Sequence, residues 1–239
     1  PRDLEFRRVL FRSERRAAPR DDLISVLTRR FDEGDLGREE FTTFAGERIA
    51  DDPLGDDELM MFLTVLVVAG NETTRNAISG GMLALSRFPE ARDRLIAHLD
   101  DERFVDLAVD ELIRWVTPVI AFSRTVTEDH TLHGERLREG DKVLMLYQSA
   151  NRYESVFDRA EELVLDRDPN PHLAFGIGTH YCLGANLARL EVKTVFQELF
   201  RRLPDIHVPP DARRTRGESS LVISISGLPA VFVPRDHDA

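Results

Sequence analysis

The chain has 239 residues, enough for one large domain or two small ones. Hydrophobic residues make up 42% and charged residues 31%, which excludes a wholly disordered chain and a collagen-like scaffold. The net charge of −11 argues against general nucleic-acid binding. A single cysteine excludes an internal disulfide and a CxxC zinc site, and it fits a reducing compartment.

No stretch of the sequence is predicted to cross a membrane. The longest near-continuous apolar run, residues 59–70, spans about twelve residues, whereas a membrane helix needs about 20. No signal-peptide pattern opens the chain. We therefore expect a soluble, cytoplasmic protein without a membrane span.

The first sixteen residues differ in composition from the rest of the chain. They contain six arginines and three acidic residues, a net charge of +3, so that residues 17–239 carry −14. We interpret 1–16 as a basic segment outside the fold and 17–239 as part of one domain.

Helical periodicity dominates the chain, and short strand patterns follow in its second half. Helices are predicted, in chain order, at 21–31, 58–87, 90–100, 104–115 and 184–202, with a polar, loop-rich segment at 31–55. Strands are predicted at 124–128, 131–137 and 142–146, and a hairpin over 221–233 around Gly227 and Pro229. The expected fold is mainly α with a small antiparallel β component, an α+β arrangement.

The segment FGIGTHYCLG, residues 175–184, concentrates unusual chemistry. Its glycines permit a tight loop that brings the backbone close to a flat or bulky group. The loop delivers Cys182 to the start of a helix, where the dipole and free N–H groups favour a thiolate, a good metal ligand. Taken alone, a buried structural cysteine beside a turn is the alternative.

Every fixed position of F-G-x-G-x-H-x-C-x-G is present, and this pattern resembles the haem-binding loop of cytochrome P-450 enzymes of the soluble, bacterial type. The resemblance implies that Cys182 is the axial iron ligand of haem b (iron protoporphyrin IX). It also implies that Phe175 packs over the loop and that His180 meets a haem propionate; from the residue alone, His180 is an exposed loop histidine. Further cofactor contacts are implied at Gly176, Gly178 and Gly184.

This resemblance extends over roughly residues 19–239. A complete family domain is longer on its N-terminal side, so the sequence resembles the C-terminal portion of a cytochrome P-450 fold, and residues 1–16 have no counterpart in it.

The long predicted helix contains a second motif, AGNETT at residues 69–74. Glycine and paired β-branched polar residues are costly inside a helix, so we expect an interruption with a functional reason. The motif resembles the family's oxygen-activation motif, which implies that Ala69 and Gly70 lie against the cofactor and leave room for O2. It further implies that Thr73 hydrogen-bonds O2 and that Glu72 relays protons. A kink in a core helix is the alternative.

Glu111 and Arg114 lie three residues apart on a predicted helix and share one face. Such a pair is usually solvated and of little energetic value. The resemblance implies instead the family's buried E-x-x-R pair, with Arg167 as a third member and a purely structural role. Arg124 corresponds to a propionate-binding arginine at the start of a strand, and an ordinary exposed arginine is the alternative.

Small apolar side chains at the family's substrate positions imply a lipophilic substrate, such as a terpene, steroid, fatty acyl or polyketide skeleton. Simple core packing is the alternative for each of them. The implied pocket residues are Val65, Val68, Val119, Ile120, Phe122 and Leu228.

No flavin or iron–sulfur signature is visible, so the electrons are expected from a separate ferredoxin or flavodoxin-type donor. An acidic donor is predicted to dock on a basic face. The residues of that face are His180, Arg189, Lys193, Arg201 and Arg202.

Together the motifs predict a haem-thiolate monooxygenase that inserts one oxygen atom from O2 into a lipophilic small molecule. A metal hydrolase built on His172, His180 and Cys182 is an alternative, although it lacks a general base at a fixed spacing. A second alternative is a truncated, non-catalytic helical fragment that cannot hold haem on its own.

Overall fold

A computed structural model describes residues 13–36, 41–42, 48–49, 55–213, 215–217 and 219–233. The chain forms two compact units: one extends to Val68 and includes Thr127–Asp129, and the other contains Ala69–Val126 and the chain from His130 onward. Residues 1–12 of the predicted basic segment lie outside the described residues. Residues 13–17 are helical. The boundary at residue 16 stays a prediction.

The first unit contains helix α1, Leu23–Asp32. The Asp22 carboxylate caps this helix by accepting a hydrogen bond of 2.8 Å from the Ser25 N–H. Strands β1 (Phe41–Thr42) and β2 (Arg48–Ile49) pair antiparallel within the segment predicted as loop, whose residues 37–40, 43–47 and 50–54 are not described.

Helix α2, Asp56–Arg87, begins in the first unit and continues through the second. Asp56, Asp57 and Glu58 occupy its first turn, where carboxylates complement the helix dipole. It ends before Pro89, which opens helix α3, Pro89–Ala97, because proline suits the first helical position.

Helix α4, Glu102–Val116, carries Asp110, Glu111 and Arg114. Its N-terminus is capped by Asp101, whose carboxylate accepts the Phe104 N–H at 3.1 Å. It ends at Thr117, which adopts a left-handed backbone with φ of 43°. The predicted helix, 104–115, lies within these bounds.

The core of the second unit joins α2, α3 and α4 to helix α6, Ala185–Arg202. Leu85, Leu112, Val192 and Phe196 are all buried there. A Cβ added at Gly81 would lie 2.9 Å from Phe196 Cζ, so the close approach of α2 and α6 requires glycine at this position.

Short antiparallel strand pairs complete the second unit. Strand β3 (Ala121–Thr125) pairs with β6 (Lys142–Leu146), and β4 (His130–Leu132) pairs with β5 (Glu135–Leu137). The short helix α5, Tyr147–Ala150, follows β6 directly. Pairing Phe122 with Met145 and Arg124 with Val143 places these four residues on one face of the β3–β6 pair.

The predicted hairpin within 221–233 is wrong. Strand β8 (Ile225–Gly227) pairs with β7 (Thr215–Arg216), while Val222 bridges to Val119 and Val231 to His207. The alternating pattern identified extended backbone, but each extended piece finds its partner elsewhere in the chain.

The described architecture is therefore mainly helical with small antiparallel sheets, as predicted. Within the described ranges, no helix combines the length and the apolar composition needed to cross a membrane.

Candidate functional site

The cysteine loop, residues 175–184, is held by its own backbone. The Cys182 N–H donates to the Phe175 carbonyl at 2.8 Å, and the Gly176 N–H donates to the Leu173 carbonyl at 2.9 Å. Gly176 and Gly178 have φ of 73° and 69°, which favours glycine at both positions. The loop thus closes on itself immediately before α6.

Cys182 is exposed to solvent, so the alternative of a buried structural cysteine is wrong. The neighbouring Ile177 and Leu183 are 75% and 81% exposed, unusually high for large apolar side chains. Gly184 caps α6 with φ of −87°, and a Cβ added there would meet no atom within 4 Å. The structure therefore gives no steric reason for glycine at position 184.

A cavity of about 270 Å³ lies beside this loop. Two basic side chains, Arg124 and His180, reach it from different parts of the chain. The remaining lining residues are largely apolar: Met145, Leu146, Tyr147, Ala150, Leu173 and Ile177. The structure brings the two predicted propionate ligands to one cavity.

The Arg124 guanidinium donates to the Ser123 carbonyl at 3.1 Å and forms no ion pair with a carboxylate of the described part of the chain. His180 is exposed. Both side chains are therefore available to an anionic group from outside.

The interruption predicted at 69–74 is wrong, because α2 is helical throughout. The Thr73 hydroxyl donates to the Ala69 carbonyl at 2.7 Å, so its side chain is satisfied without breaking the helix. The Glu72 carboxylate lies at the surface, 3.5 Å from the Arg75 guanidinium. Gly70 is exposed, and no atom lies within 4 Å of the position a Cβ would take.

Glu111 and Arg114 are fully buried, so they do not form a solvated surface pair. Arg114 donates to both carboxylate oxygens of Glu111, at 2.7 and 2.8 Å, and Arg167 donates to Glu111 Oε2 at 3.0 Å. The Val164 N–H adds a hydrogen bond of 2.8 Å. Arg114 also donates to the carbonyls of Asn151, Ala160 and Glu162. The buried charges of Glu111 and Arg114 therefore neutralise each other, and hydrogen bonds compensate both groups for the loss of water.

Asn151 links this buried network to the cysteine loop, and the sequence motifs did not identify it. It is fully buried and donates to the Thr117 hydroxyl at 2.8 Å. Its side-chain oxygen accepts the Leu173 N–H at 2.6 Å, two residues before Phe175. The segment 147–152 carried no chemical signal that could have revealed this role.

A second set of contacts surrounds Phe175. The Arg189 guanidinium lies 4.6 Å from the Phe175 ring centroid, donates to Asp110 Oδ1 at 2.6 Å and approaches the Tyr181 hydroxyl at 3.2 Å. His172 Nε2 lies 3.4 Å from the same Asp110 oxygen. Burial alone would raise the pKa of Asp110, but hydrogen bonds from His172 and Arg189 lower that pKa below its usual value.

The predicted basic docking face is largely neutralised. Arg189 pairs with Asp110, Lys193 with Glu102 and Asp106, Arg201 with Asp100, and Arg202 with Glu198. The charges that the sequence places on α6 are therefore engaged by carboxylates of this same protein.

The predicted substrate residues have different environments. Val65 and Val68, in the first unit, are 59% and 63% exposed, and Phe122, in the second unit, is 44% exposed. Val119 and Ile120 are half-buried, and Leu228 packs on the core of the second unit. Simple core packing therefore does not explain Val65, Val68 or Phe122.

Across the residues that the structure describes, no three His, Cys, Asp or Glu side chains are placed to hold a metal ion together. The alternative of a hydrolytic metal centre made by His172, His180 and Cys182 is therefore not supported. His172 is directed to Asp110 instead.

Comparison with known proteins agrees with the motifs. The methyl-branched lipid omega-hydroxylase of Mycobacterium tuberculosis is 47% identical over 180 residues, covering 75% of this chain and 41% of the relative. The steroid C26-monooxygenase of Mycolicibacterium smegmatis is 37% identical over 222 residues, covering 93% of this chain and 50% of the relative. The chain thus spans about half the length of these relatives.

Solved structures give the same result. The cytochrome P-450 of the Bacillus subtilis bacillaene polyketide synthase superposes with a TM-score of 0.80 at 34% identity, covering 96% of this chain and 54% of that chain. A cytochrome P-450 from Bacillus megaterium, in complex with testosterone, gives 0.78 at 35% identity, covering 95% and 57%. The cytochrome P-450 family model matches residues 39–216. The chain therefore belongs to the cytochrome P-450 family.

Proposed function

We propose that the protein to which this chain belongs is a haem-thiolate monooxygenase, which inserts one oxygen atom from O2 into a lipophilic small molecule. The observation that carries the proposal is the cysteine loop. It exposes Cys182 two residues after His180, which lines a largely apolar cavity together with Arg124.

The side chains present fit haem b. The two propionate carboxylates of haem b match the two available basic groups, Arg124 and His180, and a cysteine is the iron ligand typical of this family. In the proposal Cys182 ligates the iron, and Arg124 and His180 bind the propionates. When bound, the haem supplies activation of O2, which the thiolate ligand favours by donating electron density.

Thr73 and Glu72 are proposed to control protons on α2. The Thr73 hydroxyl must rotate away from the Ala69 carbonyl before it can donate to another acceptor. Glu72 at the surface can exchange protons with water, and it is proposed to supply them to this part of α2. The empty space beside Gly70 would admit a small molecule such as O2 or water.

The substrate is proposed to be lipophilic, and in the second unit Phe122 is proposed to contact it because its apolar surface is exposed. The names of two relatives, a methyl-branched lipid hydroxylase and a steroid monooxygenase, support a lipid or steroid class. A ferredoxin or flavodoxin-type protein is proposed to supply the electrons. Because the α6 cations are paired, its docking would rely less on them than the sequence suggested.

One observation favours a second candidate for the chain of 239 residues by itself. Leu187 and Leu190 lie on one face of α6 and are both 59% exposed, and Leu183, just before this helix, is 81% exposed. A fragment with such a surface would aggregate or lose haem, and would then be a non-catalytic helical fragment.

Absorption spectroscopy separates the two candidates. The chain is loaded with haem, reduced and exposed to CO; a strongly red-shifted Soret band reports thiolate ligation. Cys182→Ser is expected to abolish this band while leaving the far-UV circular dichroism unchanged. A native chain that binds haem without the band contradicts the proposed ligand, and a chain that binds no haem supports the fragment.

Thr73→Ala tests the proton step in a preparation that turns over. The variant is expected to keep the Soret band but to release more peroxide per electron consumed. The same product yield per electron as in the native protein would exclude the proposed role of Thr73. Ser79→Ala is the matched control, because the Ser79 hydroxyl makes the same kind of bond to its own helix, donating to the Arg75 carbonyl.

A further inference from the structure

One carboxylate oxygen of Asp110, on α4, contacts a residue that precedes the cysteine loop and a residue that follows it. Its Oδ1 accepts from Arg189 Nε at 2.6 Å, on the helix that leaves the loop. The same atom lies 3.4 Å from Nε2 of His172, in the segment that enters the loop. The carboxylate thus spans residues that are 17 positions apart in sequence.

The two partners of Asp110 also contact the loop itself. Arg189 covers the Phe175 ring at 4.6 Å and approaches the Tyr181 hydroxyl at 3.2 Å. The His172 ring lies 5.7 Å from the Phe175 ring, and its Nδ1 accepts the Ala174 N–H at 3.3 Å. The Phe175 carbonyl in turn accepts the Cys182 N–H. Contacts therefore run without a gap from Asp110 to the backbone of the cysteine.

We propose that Asp110 is a positioning residue that fixes the Cys182 loop through Arg189 and His172. A planar guanidinium can stack on an aromatic ring while its N–H groups bind the carboxylate, whereas a lysine ammonium lacks the planar, forked geometry for this. Arg189 therefore holds the ring of Phe175 in place while its own orientation is set by Asp110. The value of this arrangement for haem ligation rests on the proposed function, but the ordering of the loop does not.

A neighbouring ion pair provides a matched control. Lys193 lies one turn further along α6 and contacts Glu102 and the Asp106 carboxylate on α4, the latter at 2.7 Å. Lys193 joins the same two helices through these carboxylates, yet within the part of the chain that the structure describes it makes no hydrogen bond or ion pair with Phe175, Tyr181 or His172. If Asp110 acted only as a link between helices, loss of Lys193 would have the same effect on the loop.

The first test uses the haem-free chain and amide hydrogen exchange of peptides that cover residues 175–183. Asp110→Asn and Arg189→Lys are each expected to accelerate exchange of the Cys182 amide about tenfold, because opening of the loop becomes easier. Lys193→Gln is expected to leave exchange in this peptide unchanged. Equal exchange in native protein and Asp110→Asn, or equal acceleration by Lys193→Gln, overturns the proposal. Should Asp110→Asn fail to fold, Arg189→Lys decides.

The second test reads the ligand directly. In the haem-loaded, reduced and CO-treated chain, Asp110→Asn is expected to lower the fraction with the thiolate Soret band, whereas Lys193→Gln retains it. An unchanged fraction in Asp110→Asn contradicts a positioning role. If the native chain shows no thiolate band, the proposed function fails, while the exchange experiment still decides whether Asp110 orders the loop.

Discussion

Asp110 and Glu111 are consecutive residues of α4, yet they belong to two regions of opposite character. Glu111 is fully buried and receives two guanidinium groups and a backbone N–H. Asp110 is half-buried and receives Arg189 and His172 beside the exposed cysteine loop. We call the surroundings of Glu111 the closed region, and the cysteine loop with the Arg124–His180 cavity the open region.

The closed region satisfies its charges internally, whereas the open region retains groups for another molecule. Buried charges persist only where partners and hydrogen bonds compensate their desolvation, and Arg114 and Glu111 meet that condition. In the open region, Cys182 and His180 face solvent. From this comparison we expect rigidity to come from the first region and, under the proposed function, ligand binding to come from the second.

The largest effect is expected in the closed region. Arg114→Met leaves the Glu111 carboxylate buried with one guanidinium fewer, and should cost about 3–5 kcal/mol of unfolding free energy. That is much of the stability of a typical domain, so urea denaturation followed by circular dichroism should show a large shift or no folded state. Arg94→Met, which removes the exposed pair with Asp166, should cost under about 1 kcal/mol. Equal losses of unfolding free energy in the two variants would show that the buried network is no more stabilising than an exposed ion pair.

A substitution in the open region is expected to have a smaller effect, and to change haem binding but not the stability of the chain. Arg124→Gln should weaken haem retention about ten- to hundredfold, since a charge-assisted hydrogen bond contributes roughly 1.5–3 kcal/mol. The urea midpoint of the haem-free chain should not change. Haem transfer to an excess of apomyoglobin measures retention, with the exposed Arg138→Gln as control. Equal retention by both variants would show that Arg124 does not bind the cofactor.

A pH-dependent effect is expected at the border of the two regions. Because the pKa of Asp110 is lowered in the folded protein, its ionised form stabilises the fold above the usual carboxylate pKa, about 4. That contribution disappears as the pH falls through the lowered value. The difference in urea midpoint between native chain and Asp110→Asn should therefore be largest near pH 7 and shrink below about pH 4. A difference that is constant with pH would contradict the assignment.

The smallest effect is expected on α2. Gly70→Ala should stabilise the chain by about 0.5–1 kcal/mol, because the helix gains alanine and the added Cβ meets no atom within 4 Å. Gly81→Ala should destabilise it, because the added atom would lie 2.9 Å from Phe196 Cζ. Thermal unfolding should show a higher melting temperature for Gly70→Ala and a lower one for Gly81→Ala than for the native chain. Destabilisation by Gly70→Ala would show that the space beside that residue is not free.

Local patterns in the sequence predicted the helices and one strand well. Strand 142–146 matches β6, and helix 184–202 differs from α6 by one residue. Helix α6 buries a regular stripe that includes Val192, Phe196 and Phe200, whereas β6 is half-buried or exposed and was found from its β-branched and apolar run between turn residues. The hairpin over 221–233 failed because period-two alternation shows that a segment is extended but not which strand it pairs with.

The same limit applies to the site. The cysteine loop and the E-x-x-R pair are short, dense motifs and could be identified from their residues. Asp110 and Asn151 could not, because their partners Arg189 and Leu173 lie 79 and 22 positions away in sequence. Nothing in the local sequence distinguishes Asp110 from the other carboxylates of α4. The interruption of α2 was predicted from propensity alone, and the bond from Thr73 to Ala69 removes the need for it.

The exposure of Cys182 also affects how the chain can be handled. With one cysteine in the sequence, air oxidation can join two chains only through this residue. The covalent dimer would no longer offer a thiol to iron, and stronger oxidants would convert the sulfur irreversibly to sulfinic or sulfonic acid. The chain should therefore be purified under a reductant, and its free thiol should be measured before haem is added. The fraction of chains with a free thiol is the largest fraction that can gain the thiolate ligand.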